Sequence, residues 1–384
     1  MKVNNKVQVI VHCKDYESRQ IILENMGHIK YKLPMIDAYV IEIEKNKLDV
    51  IKGMDGLLDI EMDAHITAQM NRVHDIIECR WAHRHGYFGY GVGVAIVDTG
   101  ICLHKDFTEG GNRVVAFKDF INGKKEPYDD NGHGTHVAGI IGGNGYSSKG
   151  KYIGIAPACN FIIIKVLDHR GDGNISDVLA GLQWIIDNRK KYNIRVVNIS
   201  VGTSAKDTMD ENSLLVQGVN AVWDSEIIVV VAAGNNGPGP MSISTPGISR
   251  KVITVGSSDD NVSVELFGSK SKDYSGRGPT PYCIKKPDII APGSNIISCN
   301  ISRYSEIEGK KIYQAVDYPM MYTIKSGTSM ATPVVAGAIA LLLGAYPELS
   351  NRDVKLKLRN SAVDLGQKWD KQGWGLLNVR RLLE

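Results

Sequence analysis

The pattern of apolar positions changes character near residue 90. Before that point, short apolar runs alternate with polar residues. Val7–His12 and Ala38–Ile43 alternate as half-buried strands do, and Leu57–Met62 reads as a third strand. Asp15–Met26 has helical spacing, and Lys45–Gly53 suggests a short helix. Residues 1–69 therefore predict a small α+β module of β-α-β-β type. The polar stretch Asp63–Asp75 reads as a connection. After residue 90 the strand candidates lose their alternation: Gly93–Val97, Phe161–Val166, Val196–Ser200, Ile227–Ala232 and Val252–Val255. Near-continuous apolar runs mark strands buried on both faces, as in a parallel sheet. Helical segments fall between and after them, at His136–Ile141, Ile175–Lys190, Glu211–Trp223 and Met330–Ala345. This alternation predicts an α/β fold with an open, mostly parallel sheet and helices on both faces. Such sheets bind ligands outside the carboxyl ends of their strands.

Composition narrows the class. A hydrophobic share of 43% with 23% charged residues excludes disorder, collagen-like repeats and a coiled coil. Lys+Arg is 45 against Asp+Glu 42, so charge implies no nucleic-acid or membrane-surface partner. The apolar runs are short for a membrane span, and the N-terminal pattern is not that of a secretory leader. The six cysteines are scattered without a CxxC pair, which fits reduced thiols. The expectation is a cytoplasmic protein. Gly is the outlier, at 40 residues against 13 Pro, and implies tight turns and close backbone approach.

Four segments could carry chemistry. Asp98 closes the strand Val92–Val97 and precedes Thr99-Gly100; it could equally cap that turn. His133 lies between Gly132 and Gly134 ahead of an apolar helix. It could be an accessible base, a buried structural histidine, or a metal ligand with His136 and Asp129 or Asp130. Ser329 stands where the long apolar helix begins, as an N-cap or as a nucleophile beside free N–H groups. Pro333 is expected in the first turn of that helix, where a missing N–H costs little. Asn235 ends a buried strand, either in an Asn-Gly turn or as a donor to developing negative charge.

In their order and context, VAIVDTG, GHGTHVAG, NISVG, AAGNNG and SGTSMATP resemble the motifs of the subtilisin-like serine proteases. GKYIGIAP, KYNIRVVNISVG and GISRKVITVG resemble the AprX-type intracellular group of that family. The resemblance implies a serine endopeptidase with Ser329 as nucleophile, His133 as base and Asp98 as the group that orients it. It implies an oxyanion hole from Asn235 and the Ser329 N–H. It implies a peptide bound as an extended strand between Gly171-Asp172-Gly173 and Ser200-Val201-Gly202. The primary pocket would lie between Ser200–Gly202 and Ala232-Ala233-Gly234, with Ser244 near its floor. No acidic residue falls at those positions, so an uncharged side chain is expected before the scissile bond.

By the same resemblance, residues 1–69 are a propeptide that assists folding and inhibits the enzyme, and 70–384 the catalytic domain. Self-cleavage is expected near Gln69/Met70, within several residues. No cofactor is required, and no metal ligand is assigned. The loop Asn144–Lys151 has two lysines and no carboxylate, a poor cage for the calcium that many relatives hold there. Asn300–Thr323 is longer than usual in the family, as a cleft rim, a partner contact or a surface insertion. Two other readings stand beside this one: a non-catalytic scaffold, which predicts a lost triad residue, and a metal hydrolase built on His133 and His136.

Overall fold

The computed structural model describes residues 6–14, 16–62, 69–203, 211–266, 268–301, 305–307, 310–312 and 321–384. Most of the Asn300–Thr323 stretch, and 63–68 of the connection, lie outside the described residues. The chain divides into two compact units, Met1–Thr67 and Ala68–Glu384.

The first unit contains β1 (Lys6–Cys13), α1 (Tyr16–Met26), β2 (His28–Leu33), β3 (Ala38–Glu44), α2 (Leu48–Lys52) and β4 (Leu57–Met62). Its strands form an antiparallel sheet in the order β2-β3-β1-β4. Val9, Val11, Ile41, Ile43 and Leu23 pack into its core. The strand β2 was not expected. Among the described residues it is an edge strand paired with β3 alone, and its Lys30 and Lys32 stay exposed, so no apolar pattern announces it.

The second unit opens with α3 (Gln69–Ile76) and α4 (Cys79–Arg84), so the expected connection is partly helical. Val73 and Ile77 are buried. His74 Nε2 and His83 Nε2 bond the carbonyls of Ile153 and Ile155, which ties this segment down. The chain then runs through β5 (Gly93–Asp98), α5 (Lys105–Thr108), β6 (Val114–Asp119), α6 (His133–Gly142), β7 (Asn160–Lys165), α7 (Ile175–Asn188) and β8 (Ile194–Ile199). It continues through α8 (Leu214–Asp224), β9 (Ile228–Ala232) and β10 (Ile253–Ser257). A small hairpin follows, β11 (Val264–Leu266) with β12 (Ser269–Ser271), and then β13 (Ile289–Ala291) and β14 (Ile296–Cys299). A second hairpin pairs β15 (Ser305–Ile307) with β16 (Lys310–Ile312). The described chain ends with β17 (Tyr322–Lys325), α9 (Thr328–Ala345), α10 (Asn351–Ser361) and short C-terminal helices.

Seven strands form one sheet in the order β13-β10-β9-β8-β5-β7-β6, and every pair is parallel. The sheet is the expected α/β architecture. β5, β8 and β9 are apolar and β-branched because helices cover both faces. Fully burying one such side chain contributes about 1.5–3 kcal/mol. The edge strands β6 and β13 went unforeseen: β6 is half-exposed and carries Lys118, and β13 has three residues. Order reverses at β5, which is flanked by β7 on one side and β8 on the other. A crevice therefore opens at the carboxyl ends of these strands. Among the described residues, α9 is the one helix long and apolar enough to cross a membrane, but it is buried in this core.

Candidate active site

Asp98 is the last residue of β5, and its side chain is 0% exposed. Its Oδ1 accepts the Thr99 N–H at 2.7 Å, which fixes the carboxylate. His133 starts α6, and its ring is 24% exposed. Its Nδ1 bonds Asp98 Oδ1 at 2.7 Å and Oδ2 at 2.9 Å. An ionised carboxylate only accepts, so Nδ1 carries the proton and Nε2 keeps a lone pair. Gly134 makes this approach feasible, because a Cβ there would overlap the Gly100 carbonyl and press on Asp98.

The loop that carries His133 is set by Asp129. Its Oδ1 accepts from Thr99 Oγ1, Asn131 N and Gly132 N. Its Oδ2 accepts from Thr135 N and Thr135 Oγ1. Burial raises the Asp129 pKa, but these donors outweigh it and hold the carboxyl below its ordinary value. Asp130 pairs with Lys165, which is fully buried and also donates to the carbonyls of Thr99 and Leu167. His136 turns its Nε2 to the carbonyls of Ile296 and Thr323, and burial lowers its pKa to about 3. The residues of the metal-hydrolase reading thus point to separate partners rather than to one shared point.

Burial works to lower the pKa of His133, yet the charge of Asp98 and its hydrogen bonds prevail and raise it above 6.5. The charged pair therefore steadies the fold below the ordinary histidine value. That contribution is lost as pH rises through the raised value, where the neutral base becomes available. The Lys325 ammonium opposes the imidazolium. Replacing Lys325 with Met should move the acid limb of the kcat/KM profile to higher pH. An unmoved or lowered limb in a pH–rate titration would contradict this.

Ser329 is the second residue of α9, whose N-cap is Gly327 at φ 130°. A side chain at 327 would be strained there, and its Cβ would lie 3.1 Å from Asn235 Nδ2. The helix starts at Thr328, so Pro333 sits one turn further in than expected. Its missing N–H leaves the Ser329 carbonyl without its intrahelical donor. The Ser329 N–H belongs to the first turn, which has no intrahelical acceptor. Ser329 Oγ donates to the Ser200 carbonyl at 2.7 Å, so the hydroxyl rests on β8's end rather than on the imidazole. The hydroxyl must leave this carbonyl before it can donate to His133.

Asn235 Oδ1 accepts from Thr328 N at 2.9 Å and Thr328 Oγ1 at 3.1 Å. The backbone N–H can only donate, so the amide orientation is settled and Nδ2 remains as a donor. The Thr328 hydroxyl also accepts from Gly234 N at 3.1 Å.

These groups share a cleft of about 520 Å³. His133, Ser329 and Asn235 line it, and Asp98 lies behind the imidazole. Of the expected binding residues, Gly171, Ser200, Val201, Gly202, Ala232, Gly234 and Ser244 line it. Asp172, Gly173 and Ala233 do not. Asp172 and Gly173 are exposed beyond a turn closed by Asp168 Oδ1, which accepts from Arg170 N and Asp172 N. Ala233 is buried, bonding Val255 and Ser244 through its backbone. Leu167 and Arg170 line the cleft although no motif singled them out. The one available signal was their place just past the end of a buried strand.

A parallel sheet with this constellation at its carboxyl edge defines a serine hydrolase, and the family follows from comparison. Residues 89–375 match the Subtilase family, and the chain belongs to it. It is 37% identical over 353 residues to Serine protease AprX of Bacillus subtilis (strain 168), covering 90% of this chain and 78% of that one. It is 35% identical over 299 residues to Subtilisin Savinase of Lederbergia lenta, covering 78% and 93%. Among solved structures it is similar to a cold adapted subtilisin-like serine proteinase, with a TM-score of 0.58 and 29% identity. That match covers 77% of this chain and 90% of the other. The protein is a subtilisin-like serine endopeptidase and acts on protein or peptide substrates.

Proposed function

We propose that peptide hydrolysis runs through Ser329, His133 and Asp98 by way of an acyl-enzyme. The observation that carries this is the Asp98–His133 bond, whose free Nε2 shares one cleft with Ser329 and Asn235. Substrate entry displaces Ser329 Oγ from the Ser200 carbonyl. His133 Nε2 takes its proton as Oγ attacks the scissile carbonyl carbon, then passes that proton to the leaving amine. Water, activated by the same imidazole, releases the acyl group and restores the serine. Asn235 Nδ2 and the Ser329 N–H hold the oxyanion between these steps. Among the described residues no carboxylate lines the cleft, which supports an uncharged residue before the scissile bond.

Asn235→Ala should lower kcat by ~100- to 1,000-fold and change KM little, as measured by steady-state kinetics on one peptide. That magnitude is the one subtilisin shows on losing its oxyanion-hole asparagine. An equal rise in KM at constant kcat would assign Asn235 to ground-state binding instead.

The first unit is read as a self-inhibitory propeptide, cut near Gln69/Met70. The Gln69–Met70 bond lies in the first turn of α3, so that turn must unwind before this bond is cut. Calcium has no part in this proposal. Asn144 Oδ1 accepts from Tyr146 N, its Nδ2 donates to the Glu109 carbonyl, and Asp106 Oδ1 accepts from Ser147 N. The Arg113 guanidinium donates to the carbonyls of Gly142, Cys159 and Asp106, so a cation already stands at this loop.

A serine-directed sulfonyl fluoride or phosphonate tests the whole reading. Labelling at Ser329 with loss of activity is expected. Activity that survives the reagent and disappears with a chelator would overturn it.

A further inference from the structure

The cleft carries a charge that the proposed chemistry does not use. Among the described residues, its ionisable lining groups are His133 and Arg170, with no carboxylate. Arg170 is exposed, and among the described residues its guanidinium has no hydrogen bond or ion pair. Its backbone is nonetheless fixed. Asp168 Oδ1 accepts its N–H at 2.8 Å, and the Asp168 carbonyl accepts from Gly171 N. Asn131 Nδ2 donates to the His169 carbonyl at 3.2 Å, which holds this turn against the loop leading into His133. The acids on the same turn are Asp168, which serves backbone N–H groups, and the exposed Asp172. A second cation, Lys325, ends β17 on the approach to Ser329 and pairs with Ile296 in the sheet. It has no ion pair among the described residues, and its charge is felt at His133.

Among the described residues the cleft wall carries the Arg170 cation and no acid, and such a wall concentrates acidic ligands by its field. It also penalises basic side chains there, because like charges meet without a partner. We propose that this protease prefers peptides with Asp or Glu close to the scissile bond, and that Arg170 selects them. This rests on the reading of Ser329 as the nucleophile of that cleft. The preference lies away from the uncharged pocket beneath Gly234 and Ser244, so the acid occupies a flanking position rather than the primary one.

The test uses the full chain and two peptide series around one scissile bond. In one series a single Glu is moved through the flanking positions, and in the other Gln takes its place. An exposed pair of this kind should raise kcat/KM roughly two- to fivefold for Glu over Gln at the best position. The ratio should approach one in ~1 M salt, where screening acts within ~3 Å. Arg170→Glu should invert the ratio, and Arg170→Lys should keep it above one. A wild-type ratio at or below one at every position would overturn the proposal. So would the same ratio in Arg170→Glu as in wild type. Gln peptides left uncut by wild type, or cut equally by Ser329→Ala, would remove the nucleophile reading and the proposal with it.

Discussion

Ser329→Ala is expected to cut kcat by about a million-fold while the chain stays folded and unprocessed. The magnitude is that of subtilisin, where nucleophile loss removes the covalent route and leaves the oxyanion donors. Geometry argues that the fold survives. Among the described residues, Ser329 Oγ makes one hydrogen bond, to the Ser200 carbonyl. Losing it costs about 1 kcal/mol, small beside typical domain stability. Ala also suits the first turn of α9. Mass spectrometry of the N-terminus should find the variant at full length and wild type cut near Gln69/Met70. Full-length wild type with undiminished peptidase activity would show that the first unit is no cleaved propeptide. A variant trimmed like wild type by its own action would refute the nucleophile.

Asp98→Asn is the second large effect, a fall in kcat of about 10,000-fold with little change in structure. Asp98 Oδ1 already accepts the Thr99 N–H at 2.7 Å. Asn would keep its carbonyl oxygen there and turn its NH₂ toward His133 Nδ1. The imidazole would then carry its proton on Nε2, the wrong nitrogen for accepting one from Ser329. The imidazolium formed during turnover would also lose its counter-charge. Since Asp98 raises the His133 pKa, the variant's acid limb should move down as its rate falls. A rate within tenfold of wild type would mean that Asp98 caps the β5 turn and does not orient the base.

The sheet was legible because its central strands are apolar on both faces, and only a parallel, doubly covered sheet asks for that. Edge strands β2 and β6 face water and carry lysines, so they have no such signature. Asp98, His133, Ser329 and Asn235 were legible through the short motifs around them. The walls were less so, because a motif names residues without saying where they face. Ala232 and Gly234 line the cleft while Ala233 between them is buried and bonds Val255 and Ser244 through its backbone, a long-range pairing that no motif spells out. The resting bond of Ser329 to Ser200 was invisible for a related reason. It joins residues 129 positions apart, and no local pattern reports on such a pair.

The two sheets also differ in how soon they can assemble. In the first unit every strand pair is antiparallel and the whole sheet lies within residues 6–62. In the second, β5 waits for β7 and β8, with partners such as Val94 and Val196 separated by a long crossover. Contacts of large sequence separation are reached slowly, because loop closure must precede any gain from pairing. The N-terminal unit should therefore complete its sheet while the larger one is still searching. Hydrolysis, which needs residues from β5, α6 and α9 in register, should be the last property to appear during refolding.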